Sequence, residues 1–417
     1  MVCSRFLTVN NALIACGLIA VGGYLLHLAG PLRLVDDAPV YLNEAGQLAQ
    51  HAPRQDRTLP LGFPLAIATL VTLGTHSSAA IVGLNIACVA VGVVCCRVVL
   101  INQWALSNRA ATICVLLPCY SICWIYLVPV PMSDMLYFAL ASVILAALTE
   151  AGDRLRPQLL ILAAVVLSVA AFAVRTIGCL LFVVTIYQIL DRAVASGRLT
   201  RRQVGALALV GGPFVALAAL IARPFWVPSA YQIVWARPSV RGDVMLGWRT
   251  SELGQLFQNV SASAFHPRAN VLPIETTSWH ELLGGEFAAL SYVAGAVAIG
   301  LILLGLWKVG RLTFLHVYLI GYTAVLSVWP YPDLRFWAPL LPFLFGAAWL
   351  GWSRVASRPL VRLRAVTAYC LVFSIFGTIA MTHSLYVSLI DRQRTEQISR
   401  QWILGRPEWK AARLFLD

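Results

Sequence analysis

The sequence predicts an all-α, polytopic membrane protein with about eleven transmembrane helices in a single domain spanning residues 1–417. Two observations predict it. Hydrophobic residues make up 59% of the chain and charged residues only 12%, with a mean hydropathy of +0.78. A soluble domain is nearer half apolar and a quarter charged. The apolar residues also fall in runs suited to crossing a hydrocarbon layer of about 30 Å, separated by short basic connections. The formal net charge of +13, from 31 Lys+Arg against 18 Asp+Glu, fits basic cytoplasmic loops. No basic, aromatic-interleaved soluble region is present to carry nucleic acid.

The first apolar run, from about Ala12 to Leu28, follows Arg5. No convincing small-residue cleavage site follows it, so it reads as an uncleaved first helix. The expected spans are about 12–29, 78–96, 110–127, 132–149, 158–173, 176–190, 204–222, 287–307, 312–329, 336–353 and 365–387. Between the first two lies a loop over 30–77. Its stretch from Leu59 to Leu73 is apolar, but it is short and proline-rich, and is expected to lie in the interface.

Charge then sets the orientation. With the N-terminus cytoplasmic, the inner connections hold Arg97, Arg109, Arg154, Arg156, Arg192, Arg198, Arg201, Arg202, Lys308, Arg311, Arg354, Arg358, Arg362 and Arg364. The short outer connections hold only Arg33, Arg54, Arg57, Arg175 and Arg335. That is a positive-inside bias. The basic tail over 388–417 falls outside and argues mildly the other way. The expected location is a bacterial inner (plasma) membrane. Nine of the ten cysteines lie in or beside apolar runs and Cys3 is N-terminal, which suits buried thiols better than a disulfide framework.

This topology gathers ionisable residues on one outer face. The first are Asp36 and Asp37 in Leu34-Val35-Asp36-Asp37-Ala38-Pro39-Val40-Tyr41. Paired carboxylates beside lipid are costly, which points to function. Asp37 is placed to cap a helix that has Pro39 in its first turn. Capping explains one carboxylate, so Asp36 is the better candidate for a general base. Asp134, in Pro129-Val130-Pro131-Met132-Ser133-Asp134, is the third carboxylate. Taken alone, it or Ser133 reads as an N-cap.

Arg175 sits between two spans with almost no loop, and Arg335 opens a late span in Asp333-Leu334-Arg335-Phe336. Either could snorkel, and Asp333 could pair with Arg335. Their forked donors also suit a phosphate. The long outer loop, about 223–285, is rich in Trp and Phe and exceeds an ordinary connector; its aromatics suit interfacial anchoring equally well. His76, His266 and His280 have no partner at ligand spacing. Asn259-Val260-Ser261 matches a glycosylation sequon on weak grounds. No Cys/His spacing resembles a zinc site; a divalent metal is left open, and no other cofactor is expected.

Four stretches together resemble the GT-C superfamily of membrane glycosyltransferases, which includes protein O-mannosyltransferases and the enzyme that moves aminoarabinose onto lipid A. Asp36-Asp37 with Tyr41 resembles the acidic pair and Tyr after the first span. Thr58-Leu59-Pro60-Leu61-Gly62-Phe63-Pro64-Leu65 resembles the Pro-rich juxtamembrane segment. Met132-Ser133-Asp134-Met135-Leu136-Tyr137 resembles the acidic second outer loop. Leu334-Arg335-Phe336-Trp337-Ala338-Pro339-Leu340-Leu341-Pro342-Phe343 resembles a late-helix run.

The resemblance implies juxtamembrane helices in the first outer loop and a polyprenyl-phosphate-linked sugar as donor. It implies an acceptor lipid, glycan or protein, and one inverting displacement. Asp36 would be the base and Asp134 an orienting acid. Arg175 and Arg335, with Tyr41 beside them, would hold the lipid phosphate. The pattern departs from the family at Asp37, where Glu is common, and at Val40, where a basic residue often stands. A large soluble C-terminal domain is also missing from the sequence. The competing reading is a transporter or flippase of a lipid-linked glycan, but no paired halves are visible, and the acids lie at span ends rather than mid-span.

Overall fold

The computed structural model describes residues 2–34, 37–53, 59–75, 77–150, 157–200, 202–203, 242–259, 285–329, 333–356 and 358–415. Asp36, His76, His266, His280, the expected span over 204–222 and most of the 223–285 loop lie outside the described residues. Among the described residues every regular element is helical. Six helices are long and apolar enough to cross a membrane: Ser78–Trp104, Ser133–Glu150, Thr176–Ala195, Ala289–Lys308, Leu334–Val355 and Pro359–Leu389. Apolar helices of 10–17 residues cover Leu13–Ala29, Gly62–Thr72, Gln158–Val174 and Phe314–Ser327. The protein is thus a helical membrane protein, and its described residues hold fewer helices of full spanning length than the eleven crossings expected.

Helix α1 (Val2–Leu26) leads through a short 3-10 turn to the loop that carries Asp37. Helices α2 (Ala38–Ala49) and α3 (Gly62–Thr72) follow. At 1.5 Å per residue, the 11-residue α3 is about 16 Å long, too short to cross. Its Phe63 and Ile67 are fully buried, and Gly62 lies against the backbone of Ala173 and Val174.

Helix α4 (Ser78–Trp104), long and apolar enough to cross, is capped by the Ser77 side chain accepting from the Ala80 N–H at 3.3 Å. The next expected span is broken. It forms α5 (Asn108–Leu116), a 3-10 turn over Leu117–Tyr120 and α6 (Ile122–Leu127). Pro118 cannot donate the helical hydrogen bond, and Ser121 instead caps α6. Carbonyls freed in a bilayer must find donors from neighbours, and distant side chains supply them. Tyr24 of α1 donates to Cys119 O at 2.8 Å. Asn259 donates to Tyr120 O at 2.7 Å and to Phe373 O at 2.9 Å, and its Oδ1 accepts from the Ile122 N–H at 2.8 Å. Asn259 is 3% exposed, with its amide nitrogen committed to two carbonyls. The sequon match at Asn259 therefore marks a buried structural amide.

Helices α7 (Ser133–Glu150), α8 (Pro157–Val174) and α9 (Cys179–Ala195) form the next layer. Helix α10 (Gly242–Gln258) packs on α11 (Gly285–Lys308). Gly254 faces the Ser291 carbonyl and Gly295 the Thr250 carbonyl so closely that no Cβ fits at either position; small residues allow this approach of backbones. Helices α12 (Phe314–Val328), α13 (Leu341–Val355) and α14 (Pro359–Leu389) complete the bundle.

The chain finishes with α15 (Arg392–Leu404) and a 3-10 segment, Pro407–Phe415. This tail is a packed element. The Ala411 N–H donates to Asn43 Oδ1 of α2 at 3.1 Å, the Ser399 hydroxyl donates to Leu32 O at 3.3 Å, and Ile403 and Ala412 are fully buried. It therefore lies at the same end of the bundle as the first loop, where the topology put it. Gly46 of α2 touches the Ala411 carbonyl, leaving no room for a Cβ. Gly46→Val is expected to cost about 1–3 kcal/mol by overpacking. Hydrogen exchange should show faster exchange over 407–415; unchanged protection there would contradict the contact.

Candidate active site

The site is built on turns at one end of the bundle. Asn85 of α4, fully buried, donates to both Val128 O and Val130 O at 2.9 Å. It thereby fixes the turn that delivers Ser133 and Asp134 to the start of α7. The Arg33 N–H donates to Pro129 O at 3.1 Å, so the loop after α1 is tied to the same turn. The Tyr41 hydroxyl meets the Ser133 hydroxyl at 3.0 Å, and its ring packs edge-on against Phe63 of α3, centroids 5.2 Å apart. The proline-rich segment thus supports the tyrosine of α2.

Two ion pairs close the arrangement. Arg175, at the α8–α9 turn, binds the Asp134 carboxylate, whose side chain is 2% exposed. Arg335 lies 3.3 Å from Asp37 and 2.7 Å from Asp333, and one of its amino groups points at the Met132 sulfur at 3.4 Å. Both guanidinium groups lie against one ring, that of Phe336, at 5.2 Å for Arg175 and 5.1 Å for Arg335. Stacking on an aromatic face suits a partly desolvated cation.

The expected residues Asp37, Tyr41, Asp134, Arg175 and Arg335 therefore come together from four separate stretches. Two assignments change. Asp37 stands at the N-cap of α2 but makes no side-chain cap; Arg335 draws its carboxylate away. Asp134 serves as the ion-pair partner of Arg175, and Ser133 as the partner of Tyr41. Asp333 both accepts the Arg335 N–H at 2.9 Å and pairs with its side chain, as its spacing suggested.

A third charged group was not expected. On α10, Arg249 binds Glu252 with contacts at 3.0 and 2.8 Å, and also donates to Leu326 O at 2.9 Å and Trp329 O at 2.8 Å. Glu252 accepts from Trp337 Nε1 at 2.7 Å. The pair so clasps the end of α12 to the 3-10 segment Leu334–Leu340, which carries Arg335. Burial pushes the Glu252 carboxyl above its ordinary range, against the pull of Arg249. The Arg-x-x-Glu spacing, one helical turn, was the available signal. Glu252→Ala should cost about 3–5 kcal/mol, because a buried guanidinium loses its acid. The double change Arg249→Met with Glu252→Met should cost less in denaturant unfolding. A double variant as weak as the sum of the two singles would mean that the groups do not act as a pair.

Chemically, this end offers a half-exposed carboxylate, Asp37, 44% exposed, beside two guanidinium groups and a buried acid. Such a set can accept a proton and offset negative charge on a departing oxygen. Among the described residues no three His, Cys, Asp or Glu side chains converge as metal ligands. Compared with known proteins, the chain matches no family model, no curated protein and no solved structure.

Proposed function

We propose that the chain is an integral-membrane glycosyltransferase of the GT-C type, moving a sugar from a polyprenyl-phosphate-linked donor to an acceptor on the non-cytoplasmic face. One observation carries the reading: Asp37, Tyr41, Asp134, Arg175 and Arg335, up to 298 positions apart, meet at one end of an apolar bundle. An assembly with no chemistry to perform has little reason to gather charge there.

The reaction is a single displacement. Asp36 takes the proton of an acceptor hydroxyl as its oxygen attacks the anomeric carbon. The bond from that carbon to the phosphate oxygen breaks on the opposite side, inverting the configuration. Arg175 and Arg335 offset charge growing on the phosphate. Asp134 orients the sugar and Arg175, and Tyr41 lines the approach. A phosphate-linked lipid leaves without a nucleotide, so the mechanism needs no nucleotide-binding loop.

The test is mass analysis of lipid extracts and envelope glycans from cells lacking the chain. The lipid-linked sugar should accumulate and one glycan should lose that sugar, with restoration by the wild type but not by Asp134→Asn. Restoration by Asp134→Asn as full as by the wild type would defeat the reading. A lipid-linked glycan that changes leaflet yet keeps its sugar would favour a transporter.

A further inference from the structure

Charge is matched unevenly at this end of the bundle. Arg175 faces Asp134, Arg335 faces Asp37 and Asp333, and Arg249 faces Glu252. Arg33, whose side chain is the most deeply buried of the four, faces no carboxylate among the described residues. It is 2% exposed, and burial lowers its guanidinium only to about 10, so it stays charged at neutral pH. One amino group donates to Ser384 O and to the Ser388 hydroxyl, the latter at 2.7 Å, near the C-terminal end of α14, whose dipole offsets part of the charge. Nε and Nη1 have no hydrogen-bond partner.

The neighbours extend the pattern. The Tyr126 ring lies 5.8 Å from the Arg33 guanidinium carbon. The Tyr126 hydroxyl meets His383 Nδ1 at 3.1 Å, while His383 Nε2 is buried without a partner. His27 spans the two serines, 3.3 Å from Ser388 Oγ and 3.4 Å from Ser384 Oγ. Unmet polar atoms and a cation with no carboxylate partner among the described residues thus collect where α1 and α14 end. Isolated buried charge is among the costliest features a fold can hold, and an anion is what relieves it.

We propose that Arg33, with His383, forms an anion-binding site at the α1–α14 seam that takes a phosphate group. The surroundings favour the headgroup phosphate of a bilayer phospholipid. Leu25, Leu26, Tyr386 and Ile390 present exposed faces beside the cluster, where acyl chains would run. Arg392 and Arg394, more than half exposed, lie at the same level, each beside a carboxylate of its own turn, Glu396 at 2.7 Å and Asp391 at 3.9 Å, and Arg392 reaches the Ala29 carbonyl at 3.5 Å. Arginine is the side chain whose forked donors fit phosphate oxygens. The site stands apart from sugar transfer and does not rest on that reading.

The experiment uses the full chain in phosphatidylcholine nanodiscs doped with phosphatidylglycerol, with retained lipid counted by native mass spectrometry. The wild type should retain phosphatidylglycerol in preference to phosphatidylcholine. Arg33→Gln should weaken retention about tenfold to a hundredfold, the worth of a lost charge-assisted contact, and Arg33→Lys should keep most of it. His383→Phe leaves Arg33 in place and should weaken retention severalfold; it carries the test if Arg33→Gln does not fold. Displacement of the lipid by inorganic phosphate, lost in both variants, would support the site with free phosphate as its source. Retention in Arg33→Gln and His383→Phe equal to wild type would overturn the proposal, since a residue that only caps α14 would leave lipid binding unmoved.

Discussion

Asp36→Asn is expected to lower sugar transfer about 10²–10⁴-fold, the range for losing a positioned general base, with protein level and donor binding nearly unchanged. The reason lies in the division of labour between neighbours. Asp37 is held by Arg335 at 3.3 Å, so that carboxylate is committed to orienting a guanidinium. In the proposed mechanism Asp36 then receives the proton of the acceptor hydroxyl. Asparagine keeps size and polarity but cannot take the proton. The loss should therefore fall on kcat more than on KM. Asp37→Asn should act differently: it frees Arg335 from one of its two acids, so donor binding and rate should shift together.

Arg175→Leu is expected to destabilise the protein by about 3–5 kcal/mol, the cost of leaving a buried carboxylate without its cation. Asp134 is 2% exposed and sits in the first turn of α7. The double change Arg175→Leu with Asp134→Leu should regain most of the stability, because two apolar groups replace a buried pair of similar volume. It should still transfer no sugar. Denaturant unfolding in micelles and a transfer assay on the same preparations would separate the two roles. A double variant that is both stable and active would remove Asp134 and Arg175 from the site.

Much of this geometry could be read from apolar runs and charge. Runs near twenty residues mark most of the helices, and the alternation of spans places Asp37, Asp134, Arg175 and Arg335 at one end without reference to any contact. What stayed hidden depended on partners far away in the chain. The break at Leu117–Tyr120 looks like one apolar run, because the tyrosine and asparagine that satisfy its carbonyls come from α1 and from Asn259, more than 90 positions distant. Asp37 fits a cap by local pattern, but an arginine 298 positions away captures it. The tail over 388–417 carries a charged pattern suited to a solvated end; its apolar minority, Ile403, Ala412 and Phe415, packs inward. Arg33 looked like one more basic loop residue, and only its burial distinguishes it.

The most direct measurement of the central claim is release of polyprenyl phosphate from a polyprenyl-phosphate sugar by the purified chain in nanodiscs, with an envelope extract as acceptor source. The account predicts release coupled to sugar on the acceptor, reduced at least a hundredfold in Asp36→Asn and in Asp134→Asn. Release at the wild-type rate by both variants, each folded and inserted, would contradict it.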